Sequence, residues 1–271
     1  MSAEDFSFAT QLANTTDWNM EESDFKFMTA LEPQGCFVAF QDSERVGIAT
    51  SISYGRLGWF GNLIVKNEYR GEGVGSLLVN YSLDYLRGKG VETVGLYAYS
   101  NLIGFYEKLG FKQDVDFSVM VNENLSCPLQ DRLQRAKRRD IPALIEFDRQ
   151  CFGADRQKLL SAILLESTNL CYLAFDGNEV TGYVAAKVYK EMAEVGPLMC
   201  KDADAAKVLL ETVLSHLQGS YVSVCLPKKE KSLIALFNDW GFKEDFNVLR
   251  MFLGSPIAMD CICIAESLER G

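Results

Sequence analysis

Histidine is almost absent from this chain of 271 residues. The one histidine, His216, lies in an apolar helical stretch, and the eight cysteines include a single close pair, Cys261 and Cys263. A zinc site needs further ligands at short spacing, and a Ser-His or Cys-His nucleophile needs a histidine beside it. We therefore expect neither, and no metal.

Positive charge is also scarce. The chain has 27 Lys and Arg residues against 37 Asp and Glu residues, a net charge of −10. Because nucleic-acid-binding surfaces are normally basic, no nucleic-acid partner is expected. An acidic surface is compatible with a cationic substrate such as an amine.

Long apolar runs are missing as well. No run approaches the roughly 18 apolar residues of a membrane span, and the first residues form neither a basic nor an apolar signal region. Most cysteines stand in apolar company, which is typical of reduced, buried thiols. We expect a cytoplasmic protein with no membrane partner.

The chain repeats itself at intervals of 131 to 135 residues. The segment from Cys36 matches that from Cys171, the helix from Leu77 matches that from Val208, and Phe105-YEKLGFKQD matches Leu236-FNDWGFKED. Such self-similarity indicates two related units. We predict domains at 1–126 and 131–271, joined near Ser126-Cys127-Pro128.

Apolar periodicity predicts an α/β fold with a mixed, mostly antiparallel sheet flanked by helices in each half. In the first half it predicts strands at 36–40, 45–54, 59–65, 94–99 and 115–121, and helices at 75–87 and 101–108. The glycine-rich loop therefore lies between the third strand and the long helix.

Three phosphate-binding motifs compete for this loop. A Walker loop needs a lysine before the serine, and a dinucleotide fingerprint needs a different glycine spacing. The R-x-x-G-x-G/A pattern is satisfied by Arg70-Gly71-Glu72-Gly73-Val74-Gly75. Alone, this pattern fits a tight turn about equally well.

The loop, its helix and the later Phe105-Tyr106-Glu107-Lys108-Leu109-Gly110-Phe111 segment together resemble the GCN5-related N-acetyltransferase (GNAT) superfamily. The resemblance implies that acetyl-CoA binds as co-substrate. It assigns the pyrophosphate to the loop N–H groups of Arg70, Gly71, Glu72, Gly73, Val74, Gly75 and Ser76. It assigns the pantetheine arm to the strand ending in Leu63, Ile64 and Val65.

The resemblance extends to a tandem-domain, YitH-like subfamily. The carrying elements are Asp17-Trp18-Asn19-Met20 with Asp24, then Phe152-Gly153-Ala154-Asp155-Arg156, and then Gly196-Pro197-Leu198. The first of these begins with Asp-Trp where the subfamily has Gly-Trp. Trp18, Asn19, Asp155 and Arg156 become candidates for substrate contacts. A core tryptophan and an internal Asp–Arg pair are the structural alternatives.

By the same resemblance, an amine attacks the thioester directly and Tyr106 protonates the leaving thiolate. Backbone N–H groups near Ile64 and Val65 stabilise the oxyanion. Asn101 either contacts the CoA arm or caps the short helix. The base is not identified, because the third strand carries no carboxylate. Candidates are a water chain, a backbone carbonyl, or an acid from Glu21, Glu22 or Asp24.

The second half lacks both the glycine-rich loop and the tyrosine. Its loop is four residues shorter and has no glycine, and Phe237 stands where the first half has Tyr106. We therefore predict one CoA site, in the first half. The predicted function is N-acetyl transfer to a small-molecule amine. The alternatives are a non-catalytic acyl-CoA-binding regulatory protein and an interaction scaffold.

Overall fold

The computed structural model describes residues 1–16, 18–126, 132–256 and 261–271. Asp17, and the part of the predicted join at Cys127, Pro128 and Asp131, lie outside the described residues.

The first half forms the predicted elements. In chain order they are α1 (Phe6–Asn14), α2 (Glu22–Leu31), β1 (Cys36–Gln41), β2 (Glu44–Tyr54), β3 (Leu57–Val65), α3 (Val74–Gly88), β4 (Thr93–Tyr99), α4 (Ile103–Lys108) and β5 (Lys112–Asn122). All five predicted strands are confirmed, with ends that differ by at most three residues. A 3-10 turn over Ser100–Leu102 precedes α4, so the second predicted helix is divided.

The second half repeats this order. It contains β6 (Gln134–Arg135), α5 (Ile141–Phe152), α6 (Gln157–Leu165), β7 (Leu170–Asp176), β8 (Glu179–Tyr189), β9 (Met192–Cys200), α7 (Ala203–Ser215), β10 (Tyr221–Pro227), α8 (Lys231–Asp239), β11 (Lys243–Leu253) and β12 (Ile262–Ile264). The repeat makes β7 to β11 the counterparts of β1 to β5. The strand β12 has no counterpart.

The two halves form one mixed sheet rather than two. Its strand order is β1-β2-β3-β4-β11-β5-β10-β9-β8-β7-β6, with β12 paired to β9. Thus β11 lies beside β4 of the first half, and β5 lies beside β10 of the second half. Each half therefore receives its fifth strand from the other half.

A shared core accompanies this exchange. One apolar cluster joins Tyr54 and Trp59 of the first half to Phe152 and Leu160 of the second. The helices α3 and α7 each cover their own half through buried leucines and valines. Because apolar burial contributes about 25 cal/mol per Å², neither half keeps its full stabilisation without the other.

The cysteine prediction needs a correction. Cys151 of α5 and Cys261 form a disulfide, whereas Cys36, Cys171, Cys200 and Cys225 are buried thiols as expected, and Cys263 is buried as well. The two bonded residues are 110 positions apart, so spacing carried no signal of the bond. The fold of the α5 region and the 261–271 segment brings them together.

No helix among the described residues is both long and apolar enough to cross a membrane.

Candidate functional site

The glycine loop presents backbone N–H groups that are free to bind. The helix α3 begins at Val74 after Gly73, whose φ of +89° is left-handed and which caps the helix without a side chain. Gly71 has a φ of +85°, and the space where a Cβ would stand is open at both glycines. Within the described residues, the N–H groups of residues 71–76 meet no acceptor.

Arg70 fixes the loop to the end of β3. Its Nε donates a hydrogen bond to the carbonyl oxygen of Val65 at 2.9 Å. This contact ties the loop to the last residue of the strand, and it leaves the rest of the exposed guanidinium available. Glu72 is exposed, while Val74, Gly75 and Ser76 are half-buried at the start of α3.

The β3 strand has an open edge beside the loop. Its parallel pairing with β4 covers only Leu57, Gly58 and Trp59, after which the strands diverge. Pairing with β2 is irregular between Ile64 and Gly61. Over 60–65 the edge that faces β4 therefore has no strand partner in the described part of the chain. This places the backbone of the predicted residues Leu63, Ile64 and Val65 along an open cleft.

Asn62 shapes the irregular part of β3. It has a φ of +49°, and its buried Nδ2 donates to Thr50 Oγ1 at 3.1 Å. Asparagine tolerates the left-handed region better than most residues, and the hydrogen bond satisfies its buried amide. The strand is thereby turned out of regular register at the cleft.

Tyr106 lies on α4 with its ring among Phe60, Phe105 and Phe111. Only 5% of the residue is exposed, and burial raises the pKa of its hydroxyl. That hydroxyl has no protein partner among the described residues. Among the described residues, Thr10 Oγ1 is the one side-chain nitrogen or oxygen that is both fully buried and without a hydrogen-bond partner. Because the Tyr106 hydroxyl also lacks a partner but is not such an atom, it must reach solvent.

The other first-half candidates lie near the same cleft or at the surface. Trp18 stacks on Tyr99 at the end of β4, with ring centroids 6.5 Å apart. Asn19 is exposed with a φ of +50°. Asn101 is exposed in the 3-10 turn and makes no side-chain hydrogen bond in the described part, so it does not cap α4.

The second-half candidates do not lie with them. Arg156 is buried and pairs with Asp148 through Nη2 at 2.6 Å, and its Nη1 donates to the Gly271 carbonyl. It is therefore structural, and a substrate cannot reach it. Asp155 pairs with Arg149 instead of Arg156, and its N–H donates to the Tyr54 carbonyl at the far end of β2. Asp155 and Arg156 thus do not pair with each other, and each forms an ion pair with another residue.

The N-terminus of α7 is capped by a side chain, whereas the N-terminus of α3 is not. The N-cap of α7 is Asp202, whose carboxylate accepts the N–H of Ala205 at 2.8 Å. A carboxylate on these N–H groups competes with any phosphate and repels its charge. Phe237 is buried in an aromatic cluster of its own with Trp240 and Phe242.

The cleft of the second half is filled by the chain itself. Parallel pairing of β9 with β10 ends at Val195 and Val224. Beyond that point β12 pairs with Leu198, Met199 and Cys200, and the Ala265 N–H donates to the Cys225 carbonyl of β10. The strand β12 thus occupies the position that is open in the first half.

The segment 261–271 continues from there to the first half. The Trp59 Nε1 donates to the Leu268 carbonyl at 3.2 Å, and the Tyr54 hydroxyl donates to the Arg270 carbonyl at 2.8 Å. A Cβ at Gly61 would lie 2.6 Å from the Cα of Glu269. Sequence reasoning missed this segment because it lies outside the repeat and carries no motif.

The described residues contain no group of three or more His, Cys, Asp or Glu side chains that could hold a metal ion.

Two family models match the chain. A model described as the acetyltransferase (GNAT) family matches residues 4–111, and one described as an acetyltransferase (GNAT) domain matches residues 144–261. The chain is 23% identical over 220 residues to the uncharacterized N-acetyltransferase YitH of Bacillus subtilis (strain 168), a match that covers 79% of this chain and 77% of that protein.

Solved structures share the fold. A putative acetyltransferase from Pyrococcus horikoshii superposes with a TM-score of 0.84 at 22% identity, covering 100% of this chain and 94% of that one. A tandem GNAT protein from the clavulanic acid biosynthesis pathway gives a TM-score of 0.64 at 12% identity, with 95% and 98% covered.

Proposed function

Because the chain belongs to the GNAT acetyltransferase family and carries two such domains in tandem, we propose that it transfers an acetyl group from acetyl-CoA to a primary amine of a small molecule. The reaction takes place at one site, in the first half.

The difference between the two halves carries this proposal. The first half keeps a loop with free N–H groups, an open strand edge and a tyrosine with a free hydroxyl. The second half has a carboxylate on its helix terminus, a strand in its cleft and a phenylalanine. The same fold thus occurs twice in one molecule, with an open cleft in the first half and a filled cleft in the second.

The loop fits the pyrophosphate of acetyl-CoA. Consecutive N–H groups at a helix N-terminus bind anions, and glycines let the backbone approach them closely. The hydrogen bond from Arg70 to Val65 would hold the loop in position beside β3. Acetyl-CoA itself supplies an activated acetyl thioester.

The β3 edge and Tyr106 complete the site in this proposal. The open edge of β3 would orient the pantetheine arm, and backbone N–H groups near Ile64 and Val65 would donate to the thioester oxygen as negative charge develops there. Burial keeps the Tyr106 hydroxyl protonated, so it is available to donate to the leaving sulfur. Asn101 and Asn19 are exposed beside the cleft and remain candidate contacts.

We further propose that the enzyme acts in the cytoplasm and that its acceptor is cationic before reaction. The acceptor side of the cleft lies at Trp18 and Tyr99, whose stacked rings would cover the apolar part of an amine. Cations are attracted to the faces of such rings.

Two measurements in sequence test the function. Calorimetry should detect acetyl-CoA binding, and a thiol reagent should detect CoA release with members of a panel of small primary amines. Binding without release across the panel would favour the acyl-CoA-binding regulatory alternative. No binding at millimolar acetyl-CoA would contradict both functions and favour the scaffold.

A further inference from the structure

The strand at the open cleft has no acid of its own. The sequence of β3, LGWFGNLIV, contains no carboxylate, and its central Gly61 has no side chain. The backbone of Glu269 lies directly against this glycine, since a Cβ there would be 2.6 Å from the Glu269 Cα. The segment 261–271 therefore brings a carboxylate to the place where β3 lacks one.

Glu269 also lies near the opposite strand. Burial raises the pKa of Tyr99, at the end of β4, and the negative charges of Asp245 and Glu269 raise it further. Glu269 thus adjoins β3 through its backbone and influences β4 through its charge. One oxygen of its carboxylate accepts a hydrogen bond from the neighbouring Arg270 Nη1 at 2.5 Å, and its side chain is 21% exposed.

A second carboxylate comes from α2. The ring of Phe27 lies 5.3 Å from the Arg270 guanidinium, and Met28 Sδ accepts a weak contact from Arg270 Nη1 at 3.9 Å. This packing holds α2 against the end of the 261–271 segment, near enough for the Glu269 charge to act on Asp24 of the same helix. One Asp24 oxygen accepts the Glu21 N–H at 2.8 Å, and the other has no protein partner among the described residues.

The segment that carries Glu269 is held firmly. Glu266 is buried and binds Lys187 at 2.6 Å and Arg270 at 2.8 Å. The carbonyls on either side of Glu269, those of Leu268 and Arg270, accept the side-chain hydrogen bonds from β3 and β2 described above. Glu269 therefore has a fixed backbone and a partly exposed side chain, as a reacting group requires.

An unpartnered hydroxyl lies beside this place. Tyr106 is 5% exposed, its hydroxyl has no partner among the described residues, and its ring packs on Phe60, the neighbour of Gly61. This hydroxyl reaches solvent and is free to donate a proton. The proton donor Tyr106 therefore packs against Phe60 of β3, and the backbone of Glu269 packs against the next residue, Gly61.

We propose that Asp24 and Glu269 form the carboxylate pair that removes the proton from the acceptor ammonium. This inference rests on the proposed acetyl transfer. The pair takes one proton from the ammonium, and the neutral amine forms the C–N bond as the C–S bond breaks. The sulfur receives a proton from Tyr106, the second proton of the nitrogen restores the Tyr106 hydroxyl, and the pair gives the first proton to solvent. The net products are an amide, CoA thiol and one proton released to solvent.

The charges around the pair suit this role. Burial raises the pKa of Asp24, the Glu269 charge and the Glu21 charge act in the same direction, and the Glu21 N–H and Arg270 oppose them. On the β4 side the neighbouring groups are Tyr99 and Asp245. The raised pKa makes Asp24 the member of the pair that takes up a proton more readily than an exposed acid.

The test uses Glu269→Gln, Asp24→Asn and the control Glu179→Gln, an exposed acid at the start of β8 in the second half. With an active amine at pH 7, kcat/KM should fall at least about 100-fold in the first two variants, because general base catalysis contributes about 10²–10⁴-fold. The control should stay within about twofold of the unmodified protein.

The pH profile separates a proton acceptor from a structural residue. Without the pair the reaction depends on the free amine, so the activity of both variants should rise with pH until the amine itself is neutral. The loss should shrink to under about tenfold at pH 9. The ratio of activities at pH 9 and pH 7 does not depend on how much of a variant folds, so it remains decisive for a less stable protein.

Two failures are distinguishable. If the unmodified protein neither binds acetyl-CoA nor releases CoA, the proposed function fails. If it is active and both variants keep its kcat/KM within about twofold, or lose it equally at pH 7 and pH 9, the carboxylate pair is not the proton acceptor. Calorimetry with acetyl-CoA should give the same affinity for all four proteins.

Discussion

Tyr106 and Phe237 occupy equivalent places in the two halves, and only a hydroxyl distinguishes them. Both rings are buried among aromatic neighbours, Phe60 and Phe111 for the tyrosine and Phe242 for the phenylalanine. Ring packing is therefore satisfied in either case. At the residue scale, packing does not require the hydroxyl of Tyr106. We therefore assign to this hydroxyl the role of proton donor in the proposed reaction.

Tyr106→Phe is expected to lower kcat for CoA release by about 10²–10³-fold, because the proton donor is lost. Acetyl-CoA affinity and the unfolding midpoint should change little, since the ring contacts remain. Steady-state kinetics and calorimetry check this. Tyr81→Phe, at a tyrosine that is 64% exposed on α3, is the control and should behave as the unmodified protein. Equal rates for the two variants would exclude Tyr106 as the donor.

Glu266 predicts how stability depends on pH. Burial alone would raise the pKa of this carboxyl, but the charges of Arg270 and Lys187 outweigh it and hold the pKa at about 2, below the ordinary 4.5. A lowered pKa stabilises the fold above the ordinary value, and this stability is lost as the pH falls towards the folded-state value. The ion pairs of Glu266 should therefore weaken between about pH 4.5 and pH 2.

Urea unfolding between pH 7 and pH 2.5 measures this effect. Glu266→Gln should be less stable by about 3–5 kcal/mol at pH 7, because it leaves buried cations uncompensated. The difference between the two proteins should shrink as the pH falls below about 4.5. Two stability curves that stay parallel down to pH 2.5 would show that Glu266 does not titrate in this way.

At the scale of elements, α3 and α7 differ mainly at their first turn. Both are amphipathic and both cover the sheet of their own half with buried leucines. The N-cap of α3 is Gly73, which leaves the N–H groups of the first turn free, whereas Asp202 occupies one of them in α7. A single cap residue thus decides whether the helix terminus can bind an anion.

Gly73→Ala should raise the Kd for acetyl-CoA by about tenfold, which corresponds to about 1.4 kcal/mol. The reason is that a φ of +89° disfavours residues with a Cβ, so the loop must shift. The matched control is Gly90→Ala, at a φ of +83° with equally open surroundings beyond the other end of α3. Both variants should lose similar stability by thermal unfolding, and equal acetyl-CoA affinities would argue against the loop as the binding site.

At the scale of the whole molecule, the halves are interlocked. The strands β5 and β11 lie side by side in the middle of the sheet, each paired with a strand of the opposite half. The segment 261–271 fills the second cleft and then reaches the first, where Glu269 meets Gly61. The second half therefore contributes structure and a carboxylate to the site of the first half.

One molecule should bind one acetyl-CoA. The second cleft is filled by β12, and the helix terminus beside it is capped by Asp202. Calorimetry should give a stoichiometry of one per chain, and Gly73→Ala should weaken that single event. Two binding events, or an event that the substitution leaves unaffected, would contradict the assignment of the closed cleft.

The disulfide should stabilise the 261–271 segment in its two clefts. Cys151→Ser opens a covalent loop whose ends are 110 residues apart, and loops of this size are expected to contribute about 4–5 kcal/mol. Urea unfolding without reductant should show this loss. Dithiothreitol should lower the stability of the unmodified protein but leave Cys151→Ser unchanged. Equal sensitivity of both proteins to reductant would indicate that the thiols are not joined.

The sequence by itself determined the local elements and the position of the glycine loop. Periodicity located the strands and helices to within a few residues, and glycine spacing located the loop, because both are properties of neighbouring residues. The internal repeat also predicted which half differs, through Phe237 and the absent glycines.

Only the tertiary structure decided which distant residues meet. The exchange of β5 and β11, the Cys151–Cys261 bond, the burial of Arg156 against Asp148 and the approach of Glu269 to Gly61 join residues that no spacing rule connects. The physical reason is that strand pairing and burial of charge depend on the whole core. The acid that β3 lacks is therefore found in a segment that its own half does not contain.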